Sequence, residues 1–424
     1  MRGLVSTAVA FSVLVLLAAP SSAAVITVDC SGGADYTSIA EAIAAAGTQD
    51  TILVAPCVYD EQVETDGKCL TIIGSGAGET IWQWFGDGPA LSIGDLPNPW
   101  RFTVKDMAFV DGGSGYPQVI RWSAERLVLE SCTVAGGLRG SGPKTHTSIV
   151  DCSIDAIQAS AGMRSSEIAS STIGQANFYG ADYYWHDVSI QQSEIGELSG
   201  WSGDMTLDAC VVDLLDEPGV CEATNSEFGA VLMRGGKLTL RHCTVNDGIT
   251  VWGWSTTADY YFGRLSLRYC LVSGGIDYDV ELDMSAWAGL DLAHNTIVGD
   301  ASFTVWGMPG GYHTIWPNRL RGNIVTGATS LVGEWGTQAY LTLTHNDFVG
   351  GVAFPDVVAD SVFANIAVPP LFCGAGLADY DLQECSPCVG AAHDGTDIGA
   401  FGVGCPCETL VEEKTWGAIK ALYR

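Results

Sequence analysis

The chain has 424 residues, with 49 Asp or Glu against 19 Lys or Arg, and its formal net charge is −30 at pH 7. This charge argues against nucleic acid and anionic lipid as partners, because both are bound through clustered cations. It also disfavours polyanionic substrates unless calcium bridges the like charges.

The first 24 residues have the pattern of a secretory signal peptide. Arg2 supplies a positive charge, residues 4–19 are mostly apolar, and residues 20–24 end in small side chains. The apolar run is short for a membrane span, so we expect cleavage after Ala24. Since no later segment is long and apolar enough to cross a bilayer, we predict a secreted or cell-surface protein without a transmembrane span in its mature form.

Residues 25–50 are predicted to form an N-terminal cap with a short helix. Ser38 and Glu41 have the spacing of a capping box, an alanine-rich stretch follows, and Gly47 is typical of a helix end. Three apolar side chains of this helix would face the domain that follows: Ile39, Ile43 and Ala46.

A short phrase then recurs along the chain: apolar, any, apolar, two variable residues, a small polar residue or Cys, any, apolar. Its mean period of about 21 residues is typical of a β-solenoid coil, and its alternation indicates half-buried strands. Stacking of the coils about 4.8 Å apart predicts an all-β fold, a right-handed single-stranded parallel β-helix. We expect about a dozen coils over residues 51–370.

One position of the phrase should form a column of inward-pointing side chains. The asparagines of this column suit an amide ladder, and its cysteines suit small buried apolar positions. Cys210 and Cys243 would lie two coils apart, about 9.6 Å, which is beyond disulfide reach. The column comprises Met107, Cys132, Cys152, Ser171, Ser193, Cys210, Ser226, Cys243, Cys270, Asn295, Asn323 and Asn346.

Two segments follow the repeats, a cysteine-containing closing segment over residues 371–408 and a tail over residues 409–424. We expect any disulfides among the cysteines at the two ends: Cys30, Cys57, Cys69, Cys373, Cys385, Cys388, Cys405 and Cys407. The tail has apolar residues at helical spacing, and it would serve either as a cap on the last coil or as a sorting or anchoring segment.

The N-terminal fifth of the chain resembles the entry of pectin-lyase-like β-helix proteins, most closely their pectinesterase branch. The resemblance lies in residues 26–29, 35–39, 42–43, 50–54, 59–61 and 70–74. The closing segment, from Pro370 to Gly402, resembles that of exported bacterial right-handed β-helix-repeat proteins. This resemblance implies the parallel β-helix and export.

The catalytic motifs of the pectinesterases do not carry over to this chain. Gln118 to Ile120 resembles the first part of their pattern, but Gly136 to Arg139 stand where a Gln-Asp pair belongs. The strand that would hold an Asp nucleophile is not found either. We therefore do not expect pectinesterase activity.

Two groups of residues are candidates for binding carbohydrate. Tryptophans Trp252, Trp306 and Trp335, each followed by Gly, recur after the column, and exposed indole rings would suit sugar rings; the alternative is that they cover turns and sheet. A basic stripe lies beside the column and consists of arginines and histidines at the two positions before it. It would bind an acidic group of a glycan or supply a catalytic base; the alternative is that it compensates the charge of acids such as Asp277, Asp279, Glu281 and Asp283. The candidate residues are Trp252, Trp254, Trp306, Trp335, Arg241, Arg268, Arg321, His242 and His294, with His345 in the same stripe.

No cofactor is required by these patterns, and calcium is the ion that they suggest, through Asp277, Asp279 and Asp283. Two classes of function remain. The first is a monomeric, non-catalytic module that binds a glycan or a cell-envelope component or has a structural role. The second is a polysaccharide-active lyase or glycoside hydrolase with a diverged site; no catalytic residue can be named from the sequence.

Overall fold

The computed structural model describes residues 23–95, 101–111, 118–124, 126–141, 146–159, 163, 165–179, 187–200, 203–254, 263–282, 289–307, 318–332, 341–353 and 361–407. At residues 254, 282 and 306 the backbone alone is described. The predicted tail and the greater part of the predicted signal peptide lie outside these ranges. No helix among the described residues is long and apolar enough to span a membrane.

Two long parallel sheets run the length of the molecule. Sheet A has sixteen strands, one per coil. Its strands are β1 Val25–Val28, β2 Thr51–Val54, β5 Thr71–Ile73, β8 Phe102–Lys105, β11 Arg126–Glu130, β13 His146–Val150, β15 Ser166–Ala169, β17 Asp187–Gln191, β19 Asp204–Asp208, β21 Val220–Thr224, β23 Lys237–Arg241, β26 Arg264–Arg268, β29 Gly289–Ala293, β32 Asn318–Arg321, β35 Leu341–Thr344 and β38 Ser361–Phe363.

Sheet B has 22 strands, because several coils contribute two short strands to it rather than a single long one. Its strands are β3 Cys57–Asp60, β4 Val63–Glu64, β6 Thr80–Trp84, β7 Leu91–Ile93, β9 Ala108–Asp111, β10 Gln118–Trp122, β12 Thr133–Gly140, β14 Ser153–Ala159, β16 Thr172–Phe178, β18 Glu194–Gly200, β20 Val211–Asp216, β22 Glu227–Met233, β24 Thr244–Val245, β25 Ile249–Trp254, β27 Leu271–Ser273, β28 Ile276–Leu282, β30 Thr296–Val298, β31 Ala301–Gly307, β33 Ile324–Val325, β34 Thr329–Val332, β36 Asp347–Phe348 and β37 Val352–Ala353.

This topology is a parallel β-helix, because the chain returns to each sheet once per coil and pairs in parallel with the coil before. Connections between parallel strands of one sheet are almost always right-handed, so the predicted fold class is confirmed. Sheet A has fifteen described strands within residues 51–370, somewhat more than the dozen coils that the phrase predicted. Copies of the phrase are recognisable only from the coil of Met107 to the coil of Asn346. The coils of β1, β2 and β5, which come earlier, and the coil of β38, which comes later, were therefore not counted.

Each coil with the phrase turns from sheet A into sheet B at a single left-handed residue. In thirteen coils this residue has φ between 49° and 65° and directly precedes the column position. Its N–H continues the backbone ladder: His242, for example, donates to the carbonyl of Arg268 on the next coil at 3.0 Å. These bonds help to offset the cost of left-handed backbone, about 1 kcal/mol or more for a non-glycine residue.

The predicted column is confirmed, since all twelve of its residues are buried. Its polar side chains have a specific task, because each accepts the backbone N–H of the column residue one coil earlier. Ser171 accepts from Cys152 at 3.1 Å, and Asn295 accepts from Cys270 at 3.0 Å. The amide ladder is also confirmed, and Asn365 extends it by one coil.

The cysteines divide between the coils and the ends as predicted. Eight are buried and free, Cys69, Cys132, Cys152, Cys210, Cys221, Cys243, Cys270 and Cys388. Three disulfides join the other six, Cys30 to Cys57, Cys373 to Cys405 and Cys385 to Cys407.

We expect a thiol reagent to leave the native protein almost unlabelled, because all eight free thiols are buried. Unfolding without reductant should expose these eight, and unfolding with reductant all fourteen cysteines. Mass spectrometry of the alkylated chain measures each number. Labelling of a column cysteine in the native state, or fewer than eight reactive thiols after unfolding, would contradict the assignment.

The N-terminal cap contains a helix, α1, over Ile39–Ala45. The Ser38 hydroxyl accepts the Glu41 N–H at 3.3 Å, as the capping box predicts. The carboxylate at this helix end belongs to Glu61, however, which accepts from the Ser38 hydroxyl and from the N–H groups of the next two residues at 2.7 to 3.0 Å. The predicted inward face is confirmed, since Ile39, Ile43 and Ala46 are buried.

The closing segment packs on the side of the last coils. It contains a three-stranded sheet, β39 Phe372–Gly374, β40 Asp379–Gln383 and β41 Val403–Cys405, and a 3-10 turn at Ala375–Leu377. Its buried side chains Leu382, Cys388, Ala392 and Ile398 cluster with Ile324 of the coils. Two backbone N–H groups anchor it: Gly399 donates to the Gly322 carbonyl at 2.7 Å and Ala400 to the Thr296 hydroxyl at 3.0 Å.

Candidate functional site

The outer face of sheet B carries a continuous row of mostly polar residues. One position per coil lies in register from β16 to β34; Leu232 is its one apolar member, and Ser199 is the one member that is buried. We call this the polar row. It consists of Asn177, Ser199, Asp216, Leu232, Thr250, Asp277, Ser302 and Ser330.

Two members of the polar row are joined by a hydrogen bond, and a third lies near other carboxylates. The Ser199 hydroxyl bonds to the Asn177 side-chain oxygen on the preceding coil. Burial, and then the nearby carboxylates of Glu217 and Glu197, raise the pKa of Asp216. The row therefore combines hydroxyl, amide and carboxyl groups, one of which takes up a proton more readily than a free aspartate.

Trp252 is a half-buried side chain next to this row on the same face of β25. The Arg234 guanidinium lies 5.6 Å from the centroid of its ring, within cation–π range, and also pairs with Glu217 at 3.0 Å. The backbone register places Asp279 opposite Trp252 on the next coil. Trp252 thus has a cation over its ring and an acidic residue as its backbone neighbour on the next coil.

The other predicted tryptophans do not share the position of Trp252 in the register. Trp254 pairs with Glu281, and Glu281 pairs with Trp306. Trp306 therefore aligns with Trp254, two coils apart, rather than with Trp252. Trp335 lies outside the described residues.

The basic stripe lies at the end of sheet A, where the register aligns Arg241, Arg268 and Arg321. Arg268 pairs with Asp291 at 3.0 Å, and Arg321 lies 3.7 Å from the other oxygen of the same carboxylate. The compensating acid is thus Asp291, rather than the acids of β28 that the sequence suggested. These contacts favour charge compensation over an anion site for this stripe.

The histidines of the stripe occupy the left-handed bend positions, so they stack on the outside of the coils. The His242 ring lies 5.1 Å from that of Tyr269, which lies 5.1 Å from that of His294. The next two bend residues are Gly322, which has no ring, and His345. The ring of His393, from the closing segment, lies between the coils of His294 and His345, with its centroid 5.6 Å from that of His294 and 6.2 Å from that of His345. We call these five rings the ring stack.

Three residues beside Gly322 bring metal-binding atoms together. One ligand atom from each of His294, His393 and Asp394 lies within 4.8 Å of the others. Hydrogen bonds from Thr396 lower the pKa of Asp394 to about 2, while partial desolvation of the ring is the main cause that lowers the pKa of His393. His393 and Asp394 were not predicted from the sequence, although adjacent His and Asp in a polar turn of the closing segment could have marked them.

Two of the three predicted calcium ligands lie among the described residues. Asp277 and Asp279 face outward from β28, and Asp283 lies outside the described residues. Among the described residues, the three-residue set around His294 is the one group with metal-binding geometry.

No protein-family model matches the chain, and no curated protein matches it. Among solved structures it is similar to a pectin methylesterase from carrot, at 13% identity and TM-score 0.29, covering 78% of this chain and 88% of that one. It is also similar to the pectate lyase Pel9A, at 10% identity and TM-score 0.27, covering 90% of this chain and 97% of that one. At these low scores, the fold assignment depends on the strand pairing within the chain itself.

Proposed function

We propose that this chain is an exported, non-catalytic β-helix protein that binds a neutral carbohydrate along the outer face of sheet B. The polar row is the observation that carries the proposal, because it presents hydrogen-bonding groups in register beside Trp252. Such groups suit sugar hydroxyls, and an indole face suits the apolar face of a sugar ring. The net charge of −30 favours a neutral ligand over an anionic one.

The length of the polar row favours a polymer over a single sugar. Its eight members lie on successive coils, and with coils about 4.8 Å apart the row extends over about 34 Å. Export is part of the proposal because residues 1–24 have the pattern of a signal peptide.

Replacing Trp252 with alanine is expected to weaken binding of the best neutral oligosaccharide about tenfold, the loss of one aromatic contact of about 1.4 kcal/mol. The protein would be expressed with its own N-terminal segment and purified from the medium. The mass of the purified protein shows whether the chain has been cleaved before Val25. A glycan array then identifies the ligand, and calorimetry measures the Kd of the wild type and the variant.

Tyr269→Ala is the matched control, because Tyr269 is also an exposed aromatic residue but belongs to the ring stack. Its Kd should equal that of the wild type. Binding to no neutral glycan, or an equal loss in both variants, would exclude this face as the site.

One observation favours a second candidate function, a polysaccharide-active hydrolase or lyase. Asp216 has a raised pKa beside two other carboxylates, and a protonated carboxylic acid near an ionised one is what glycoside hydrolysis requires. Release of reducing or unsaturated ends from a neutral polysaccharide, abolished by Asp216→Asn, would establish catalysis. Binding without release would leave the non-catalytic proposal.

A further inference from the structure

We propose that His294, His393 and Asp394 form a binding site for a first-row divalent transition metal, of which Zn²⁺ is the representative. The site would join a bend of the coils to the closing segment. His294 follows β29, whereas the other two ligands lie about a hundred positions later in the chain. This site is independent of the carbohydrate face.

His294 has the surroundings of a metal ligand. Its side chain is buried, and its Nδ1 lies 3.3 Å from the backbone carbonyl of Asp397. A carbonyl can only accept, so this contact places a proton on Nδ1, and in the neutral imidazole Nε2 would present its lone pair. A histidine that binds metal through one nitrogen commonly donates its other N–H to a carbonyl in this way.

The Nε2 atom of His294 faces the Asp394 Oδ2 at 3.5 Å. Two acceptors that face each other require a cation between them, either a proton or a metal. A charge-assisted hydrogen bond would bring these atoms to about 2.7–2.9 Å. Two ligand atoms on one tetrahedral zinc, each about 2.1 Å from the metal, lie about 3.4 Å apart. The observed separation matches the metal.

Asp394 is held in position by its other oxygen. Its Oδ1 accepts the Thr396 hydroxyl at 2.6 Å and the Thr396 N–H at 3.1 Å, which leaves Oδ2 directed at His294. Hydrogen bonds of this kind orient carboxylate ligands in metal sites. His393, the adjacent residue, is exposed and can adjust its rotamer to complete the set.

Two imidazoles and one carboxylate define the class of metal. Imidazole suits zinc, iron, copper and nickel, while calcium and magnesium prefer oxygen ligands alone. Since His393 and Asp394 are exposed, water can supply the remaining ligand. The metal would then cross-link the closing segment to the coils and stabilise their contact.

The test uses untagged protein, first dialysed against a chelator. Isothermal titration with ZnSO₄ should give about one equivalent with a micromolar or lower Kd, and His393→Gln and Asp394→Asn should each raise that Kd at least about tenfold. Both ligands are exposed, so these variants should fold. His242→Gln, which changes a histidine of the ring stack outside the site, should bind zinc like the wild type.

Two further readouts identify the ligands and the effect. Co²⁺ should give the visible bands of a nitrogen and oxygen site without a thiolate charge-transfer band, which separates this site from the free cysteines. Zinc should also slow proteolysis of the closing segment in the wild type but not in Asp394→Asn. Failure to bind about one equivalent, an unchanged Kd in both ligand variants, or thiolate bands would each overturn the proposal.

Discussion

Replacing Asn323 with alanine is expected to lower the free energy of unfolding by about 3 to 5 kcal/mol. The Asn323 side chain is fully buried. Its Oδ1 accepts from the backbone and side-chain N–H groups of Asn295 at 3.0 and 2.9 Å. Its Nδ2 donates to the Leu292 carbonyl and to the Asn346 side chain, both at 2.9 Å. Alanine would leave the buried Asn295 N–H without its acceptor, at about 1–3 kcal/mol before relaxation. It would also remove one bond each from the Asn295 side-chain amide, the Leu292 carbonyl and the Asn346 side-chain oxygen.

Urea-induced unfolding, followed by circular dichroism, measures this loss. Asn365→Ala is the matched control because Asn365 ends the ladder, is only half-buried, and can exchange its lost bonds for water. We expect that control to lose about 1 kcal/mol. Equal losses in the two variants would mean that the ladder does not stabilise the coils through its buried amides.

The amide ladder also explains why the column could be predicted from the sequence. Each turn from sheet A to sheet B buries a backbone N–H, and wherever the next coil has serine or asparagine in the column, that side chain accepts it. Asn365 meets the same requirement at 2.8 to 3.0 Å. It was missed because the residues before it lack the phrase. A backbone requirement that recurs in each coil therefore leaves a recurring residue type in the sequence. That residue is recognised only where the strand before it also follows the phrase.

Contacts that occur once leave no such pattern. Glu61 was not recognised as the carboxylate of the helix cap, because its pairing with Ser38 depends on how the first coil closes. His393 reaches the ring stack only because the closing segment packs beside Gly322, which has no side chain to fill its own level. The fold was therefore predictable from periodicity, whereas the partners of the candidate sites depend on the docking of segments distant in sequence.

Removing the Cys373–Cys405 disulfide, with serine at both positions, is expected to unfold the closing segment while the coils stay folded. The segment has a small buried cluster of its own, Leu382, Cys388, Ala392 and Ile398 with Ile324. Its two disulfides join cysteines 32 and 22 positions apart. Cross-links of this span stabilise by about 3.5 kcal/mol each in the chain-entropy account, which rivals the stability that so small a core supplies.

Hydrogen exchange and limited proteolysis measure this effect separately for the coils and for residues 371–407. In the Cys373→Ser/Cys405→Ser variant, the closing segment should lose its protection, while the buried strands of sheet A keep theirs. The matched control is Cys30→Ser/Cys57→Ser, which removes the disulfide at the opposite end and should leave the closing segment protected. Because the coils are stabilised by contacts with their neighbours, opening of one end should not spread along the rod. Loss of protection throughout sheet A would show instead that the closing segment is needed for the whole β-helix to fold.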